Sequence, residues 1–159
     1  NFLCFICETK LITMYNGLVH AHSGLRWVVL LLLILAIFNA FSKKGNGSAW
    51  TDKDKKVTLF AMIFTHVQLL IGLALYFMSP LVQFSEGFMK NPIYRFYSVE
   101  HITTMLLAIV LITIGYSKSK RAQEAAKKFK TVSTFYLIGL ILILAGIPWP
   151  FRELGAGWF

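Results

Sequence analysis

Four apolar runs, each about as long as a bilayer crossing, constrain this chain more than any other feature. The first is Leu18 to Phe41, with unbroken hydrocarbon from Val28 to Leu35. The second is Val57 to Met78, stopped by Ser79-Pro80, and the third is Tyr94 to Tyr116. The fourth is Val132 to Ile147, closed by Pro148-Trp149-Pro150. A helix of ~20 residues crosses the ~30 Å hydrocarbon layer, and the fourth run reaches that length with Thr131 and Trp149 counted. None of the runs alternates apolar with polar residues, and an open sheet leaves its edges unsatisfied in lipid. The sequence therefore predicts an all-α membrane protein, a four-transmembrane-helix bundle forming one domain over residues 14–159. Met14-Tyr15-Asn16-Gly17 reads as the start of that domain. Residues 1–13 then form an N-terminal extension, either an upstream segment or an ordered tail. They lack the basic stretch and small-residue cleavage site of a signal peptide.

Charge fixes the expected orientation. The chain is 57% hydrophobic and only 14% charged, with a net charge of +9. Eleven of its sixteen basic residues fall in two short connections. Lys43, Lys44, Lys53, Lys55 and Lys56 lie between the first and second runs. Lys118, Lys120, Arg121, Lys127, Lys128 and Lys130 lie between the third and fourth. Basic loops stay in the cytoplasm, so both termini and the loop from Ser79 to Ile93 are expected on the non-cytoplasmic side. This placement gives the basic excess to membrane topology and argues against nucleic acid as a partner. Tyr94, Tyr97, Trp149, Phe151 and Trp158 suit an aromatic belt at the outer interface. The basic loop from Ser117 to Lys130 is expected to extend as a short helix, since Arg121 to Lys130 is rich in Ala, Lys, Glu and Gln, and to serve as a connector facing the lipid headgroups.

Cys4 and Cys7 form a C-x-x-C pair followed by Glu8, so the C-x-x-C-H pattern of covalent haem attachment is absent. Two ordinary thiols in an apolar start are the simpler reading.

Ionisable side chains inside a span are costly and point to function. Six stand out: His20, His22 and Arg26 in the first run, His66 in the second, and Glu100 and His101 in the third. All four histidines of the protein belong to the spans. From the ~1.5 Å rise per residue, His66 lies ~3 Å from the midplane, His101 ~6 Å outward, His22 ~11 Å and His20 ~14 Å. The inner half has no counterpart. His22 and Arg26, four residues apart, share a helix face, with Gly24 between them. Imidazoles on facing membrane helices suit bis-histidine ligation of a b-type haem. Its flat apolar ring replaces side chains between helices, and its acidic edge calls for a cation such as Arg26 or Arg95. Glu100 can pair with Arg26 or accept an imidazole N–H. His20, at a helix start, also reads as an interfacial residue. An Arg26–Glu100 ion pair fixing the packing, and glycines 24, 72, 139 and 146 serving close helix contact, are the purely structural alternatives.

Several blocks are similar to a small four-helix membrane family of Bacteroidota-type bacteria whose members carry the label cytochrome b. They are His20-Ala21-His22-Ser23-Gly24-Leu25-Arg26-Trp27, Thr65-His66-Val67-Gln68-Leu69, Glu100-His101, Ile114 to Arg121 and Ile147-Pro148-Trp149-Pro150-Phe151. The resemblance covers Met14 to Phe159. It implies a b-haem protein of the bacterial inner membrane, with His22, His66 and His101 as the candidate iron ligands. The expected function is electron transfer through one haem in the outer half of the bundle. The first choice of ligand pair is His66 with His101, and His22 is the alternative partner. Electrons would pass between a quinol pool or membrane redox subunit and a periplasmic acceptor, in a monomer or a homo-oligomer. Two rivals stand beside it: a cofactor-free accessory subunit of a larger membrane complex, and a quinone or proton site using imidazole, Glu100 and Gln68. No nucleophile, hydrolytic triad or structural zinc pattern is present, so the chain is at most a redox subunit.

Overall fold

The computed structural model describes residues 2–158, with side chains described from residue 10 onward. The C-x-x-C pair at Cys4 and Cys7 therefore lies outside the described side chains. Four long helices account for the four apolar runs: α1 (Phe2–Lys43), α2 (Asp52–Met78), α3 (Pro92–Arg121) and α4 (Ala125–Gly146). Each contains a stretch long and apolar enough to cross a membrane, and the described residues contain no strand. Phe77, Phe38 and Leu70 turn outward and are 83%, 72% and 66% exposed. Water would penalise such a surface and hydrocarbon does not, so the fold is that of a multi-pass membrane protein.

Sequence chemistry sets the helix ends. Thr51 and Asp54 form a reciprocal capping box that starts α2. Ser79 turns extended because Pro80 follows it, and α2 stops there. Asn91 accepts from the backbone N–H groups of Ile93 and Tyr94 at the start of α3, with Pro92 in the first turn. Ile147 is extended ahead of Pro148 and ends α4. The loop from Ser117 to Lys130 forms no separate helix, because its two ends are taken up into the flanking long ones. α3 runs to Arg121, and α4 takes up the chain from Ala125. The first helix is continuous from Phe2 to Lys43, so residues 2–13 share one helix with the first apolar run. Its 42 residues span ~63 Å, twice the hydrocarbon layer. The Tyr15 hydroxyl lies 3.2 Å from Ser79 Oγ at the end of α2, and Leu11 and Ile12 one turn earlier line a shallow pocket with Phe77, Met78 and Pro80.

Consecutive helices run antiparallel. α1 packs on α2 and α4, α4 packs closely on α3, and α2 touches α3 sparsely, which leaves α1 and α3 on the diagonal. Glycine permits the tight α3–α4 contact. A Cβ at Gly139 would meet Ile112 Cγ1 at 2.7 Å, and one at Gly146 would meet Met105 Cε at 2.6 Å. At the basic end, Asp54 is fully buried and accepts from Asn39 and Lys43 at 2.6 Å each and from the Thr51 hydroxyl at 2.6 Å. Tyr136, also fully buried, donates to Thr58 O at 2.9 Å and ties α4 to α2. The hydrocarbon core from Leu33 to Ala40 and from Ile112 to Tyr136 fills this half. The opposite half is less densely filled, and a cavity lies there.

Candidate functional site

A cavity of about 340 Å³ opens between the helices at the end that carries the 79–91 loop and the C-terminal segment. Its walls run from Tyr15 to Val29 on α1, from Thr65 to Ser79 on α2 and from Tyr97 to Ile109 on α3. At ~1.5 Å per residue these walls are ~18–21 Å tall, and His22 stands halfway along its own. Most of the lining is apolar, with Val29, Leu69, Ile102 and Ile143 among it. Among the polar side chains in this lining are His22, Arg26, Gln68 and His101, near the middle of the helices.

His22 and His101 come from the two diagonal helices and face each other with ring centroids 6.4 Å apart and planes at 71°. A structural irregularity precedes His101. Residues Phe96–Glu100 form a π-turn, and the His101 N–H donates to Phe96 O. The turn inserts one residue's worth of rotation between the outer part of α3 and the part that carries His101. His101 Nδ1–H donates to Gly146 O at 2.8 Å. That carbonyl is free because α4 ends there and the residue four positions on is Pro150, which has no N–H. This bond leaves His101 Nε2 as the nitrogen with a lone pair. His22 rests against Gly72 of α2, where a Cβ would come within 3.0 Å of Cε1. The Gln68 amide donates to the main-chain carbonyl of His22 at 2.8 Å.

Arg26 is 8% exposed. One terminal nitrogen donates to Trp158 O at 2.7 Å, and the guanidinium lies 5.3 Å and 5.9 Å from the Trp27 and Trp149 rings. The C-terminal segment thus folds back over the cavity mouth. Tyr97 donates to Leu154 O, and Gly155 to Gly157 line the opening. Three buried polar atoms in the cavity have no partner among the described residues: His22 Nδ1, Arg26 Nε and Gln68 Oε1. Buried polar groups are seldom left so, and three around one cavity suggest a ligand or ordered solvent.

The structure separates the other sequence candidates from this group. His66 is not part of the cavity wall. Its Nδ1–H donates to Met62 O at 2.8 Å, and Nε2 lies 3.3 Å from the Thr113 hydroxyl, whose shorter bond goes to Ile109 O at 2.7 Å. His20 is exposed, two residues and roughly half a turn from His22. Glu100 does not pair with Arg26. It accepts from Arg95 at 2.7 Å, because the π-turn brings residues five apart onto one side. That pair is about 40% exposed on both sides and also removes Arg95 from the cavity. A Cβ at Gly24 would meet nothing within 4 Å, so no helix of this chain approaches it.

Sequence reasoning missed the π-turn, the seat that Gly72 gives His22 and the closure by residues 155–157. Only the second had a faint signal, since Gly72 lies one turn from Gln68. Compared with known proteins, the chain matches no family model, no curated protein and no solved structure.

Proposed function

We propose that the chain is a b-type haem protein of the bacterial inner membrane that carries electrons, in which His22 and His101 would hold one haem. The observation that carries this reading is the facing pair of imidazoles across the cavity. A metal–imidazole bond is about 2.0–2.1 Å and the ring centre lies roughly 1 Å further, so two imidazoles that would hold one metal ion between them can have centroids about 6 Å apart. The pair here stands at 6.4 Å. No group of three His, Cys, Asp or Glu side chains converges among the described residues. Two imidazoles alone suit a metal that brings its remaining ligands with it, as iron in a porphyrin does. The apolar walls fit the macrocycle, and the free Arg26 Nε–H fits its acidic edge. Bound there, the group would cycle one electron between ferric and ferrous iron. The chain's own residues would hold it, keep bulk water away behind the C-terminal segment, and fix the ligand nitrogens.

This reading moves the ligand pair from His66 and His101 to His22 and His101. Both ring nitrogens of His66 already meet partners within α2 and α3, and its ring lies outside the cavity. With the basic loops in the cytoplasm, the cavity lies in the outer half of the bilayer, where a periplasmic acceptor can approach. Haem content tests the assignment. His22→Ala and His101→Ala should each lose haem, and His66→Ala should retain it. Loss in His66→Ala with retention in His22→Ala would reverse it.

A second reading is a quinone site. Arg26 Nε–H suits a quinone carbonyl and Gln68 Oε1 suits a quinol hydroxyl. Saturable binding of a quinone analogue to haem-free protein, lost on Arg26→Leu, would favour it. The cofactor-free accessory subunit is the outcome if neither haem nor quinone binds.

A further inference from the structure

The chain beyond α4 is fastened firmly at its root and lightly at its tip. At the root, Arg152 Nη1 donates to Ala145 O at 3.0 Å and to Ile147 O at 3.2 Å, carbonyls at the end of α4. Leu154 is buried, and the Tyr97 hydroxyl donates to its carbonyl at 3.2 Å. Past Leu154 the backbone has no regular structure. Gly155 takes a left-handed φ of 78°, which favours glycine. Gly155, Ala156 and Gly157 then line the cavity opening with no side chain larger than a methyl group. Among the described residues, this stretch receives two hydrogen bonds, both at Trp158 O: from Arg26 at 2.7 Å and from the Trp27 indole at 3.4 Å. The Trp158 ring stacks on Trp27 at 24° and is still 50% exposed. A segment with so few buried contacts opens locally, far more readily than the bundle unfolds.

Arg26 is where this tip meets the cavity. One terminal nitrogen holds Trp158 O, while its Nε–H is buried without a partner among the described residues. The ion pairs among the described residues do not use it, since Lys43 pairs with Asp54 and Arg95 with Glu100. The described lining of the cavity contains no Asp or Glu. A guanidinium is a rigid plane, so an acceptor taken at Nε fixes the direction of the terminal N–H groups as well. We propose that the segment from Gly155 to Trp158 is a strap whose closure is coupled through Arg26 to filling of the cavity. An acidic group of the ligand, accepting from Nε–H, holds the guanidinium in the orientation that latches Trp158 O. The inference rests on the haem reading above, which supplies the acid. Such coupling is reciprocal: the ligand tightens the strap, and the closed strap slows loss of the ligand. The empty protein keeps its strap loosely latched and open to entry at that end.

The test uses the full chain in detergent micelles, carrying Cys4→Ser, Cys7→Ser and Ala156→Cys. The rate at which the strap cysteine reacts with a hydrophilic maleimide is measured in haem-free and haem-loaded protein, with haem quantified. Haem should slow labelling roughly 5- to 100-fold. Tyr97→Phe loosens the root, so it should raise both rates and keep their ratio. Arg26→Lys keeps the charge without the planar fork, and Arg26→Gln removes the charge; in both, the ratio should fall to near one. The reciprocal arm needs no arginine variant and holds if those fail to fold or to keep haem. Trp158→Ala, which removes the indole stack at the tip, should lose haem to an apomyoglobin scavenger several-fold faster. Protein with Arg26 intact that takes up no haem overturns the haem reading and this inference with it. Haem uptake with an unchanged labelling rate, a ratio that survives in both Arg26 variants, or an unchanged rate of haem loss in Trp158→Ala overturns the coupling and leaves the haem reading standing.

Discussion

At the scale of single residues, the polar groups in this bundle divide into those the fold has satisfied and those it has left open. Asp54 is the clearest satisfied case. Its carboxylate is fully buried and takes side-chain hydrogen bonds from Asn39, Lys43 and Thr51. Asp54→Ala would leave those donors facing apolar groups, and removing one member of such a network costs roughly 2–4 kcal/mol. Lys43 is 30% exposed, so Lys43→Ala should cost clearly less. Thermal unfolding in detergent, followed by alkylation of a buried reporter cysteine, measures both. Equal losses would show that the salt bridge, and not the network, holds that end. Gly72 is the counterpart at the cavity. Gly72→Ala would push the His22 ring by a few tenths of an ångström and should weaken haem retention without abolishing it. Haem content after dilution, compared with His22→Ala, reads this directly. Sequence alone exposed which residues were costly to bury, because charge inside an apolar run is visible by inspection. It could not show which costs were offset. Asn39 with Asp54, and Glu100 with Arg95, are settled by geometry that only the packed helices provide.

At the scale of elements, the apolar run lengths made the four helices legible, and the proline signals at Ser79-Pro80 and Ile147-Pro148 placed two of the helix ends. The π-turn at Phe96–Glu100 was not legible, since no sequence pattern announces a switch from four-residue to five-residue hydrogen bonding. It sets how the outer turns of α3, with Tyr97 and Ser98, meet the C-terminal segment and the 79–91 loop. The choice between His66 and His22 as partner for His101 depends on how the helices pack, which the sequence does not show. Deleting Val99 should convert the turn to regular α-helix and rotate residues 92–98 by ~100° against His101. The contacts of Ser98 with Gln83 and of Tyr97 with Leu154 should then be lost. Limited proteolysis should cut the 79–91 loop and the C-terminal segment faster in the deletion variant, with haem retained by the unchanged 101–121 segment. Unchanged proteolysis would show that these contacts do not depend on the turn. The α3–α4 seam is the opposite case. Gly139→Ala would drive a Cβ to 2.7 Å from Ile112 Cγ1 and 3.3 Å from Ala108 O, and overpacking of that kind costs about 1–3 kcal/mol.

At the scale of the whole molecule, the bundle has two unlike ends. The basic end is filled with hydrocarbon and pinned by a buried carboxylate and a buried tyrosine. The other end holds the cavity, closed by a loop, an aromatic cluster and the C-terminal segment. Under the proposed function, the packed end would support the fold and the cavity end would hold the haem, on one side of the membrane. The proposed orientation, from the positive-inside rule, has the basic end in the cytoplasm. In a variant with Cys4 and Cys7 replaced by serine, a cysteine at Asn46 or Gln123 should react with an impermeant maleimide only after the membrane is opened. A cysteine at Ser85 should react in intact spheroplasts, and the reverse pattern would invert the orientation. The central claim, one haem held between His22 and His101, is tested most directly by the dithionite-reduced minus oxidised visible spectrum of the gently purified protein, with haem quantified per chain. The account predicts a b-type α band at close to one haem per chain, lost in His22→Ala and in His101→Ala and kept in His66→Ala. A flat wild-type spectrum, or full haem in the His22 and His101 variants, would contradict it.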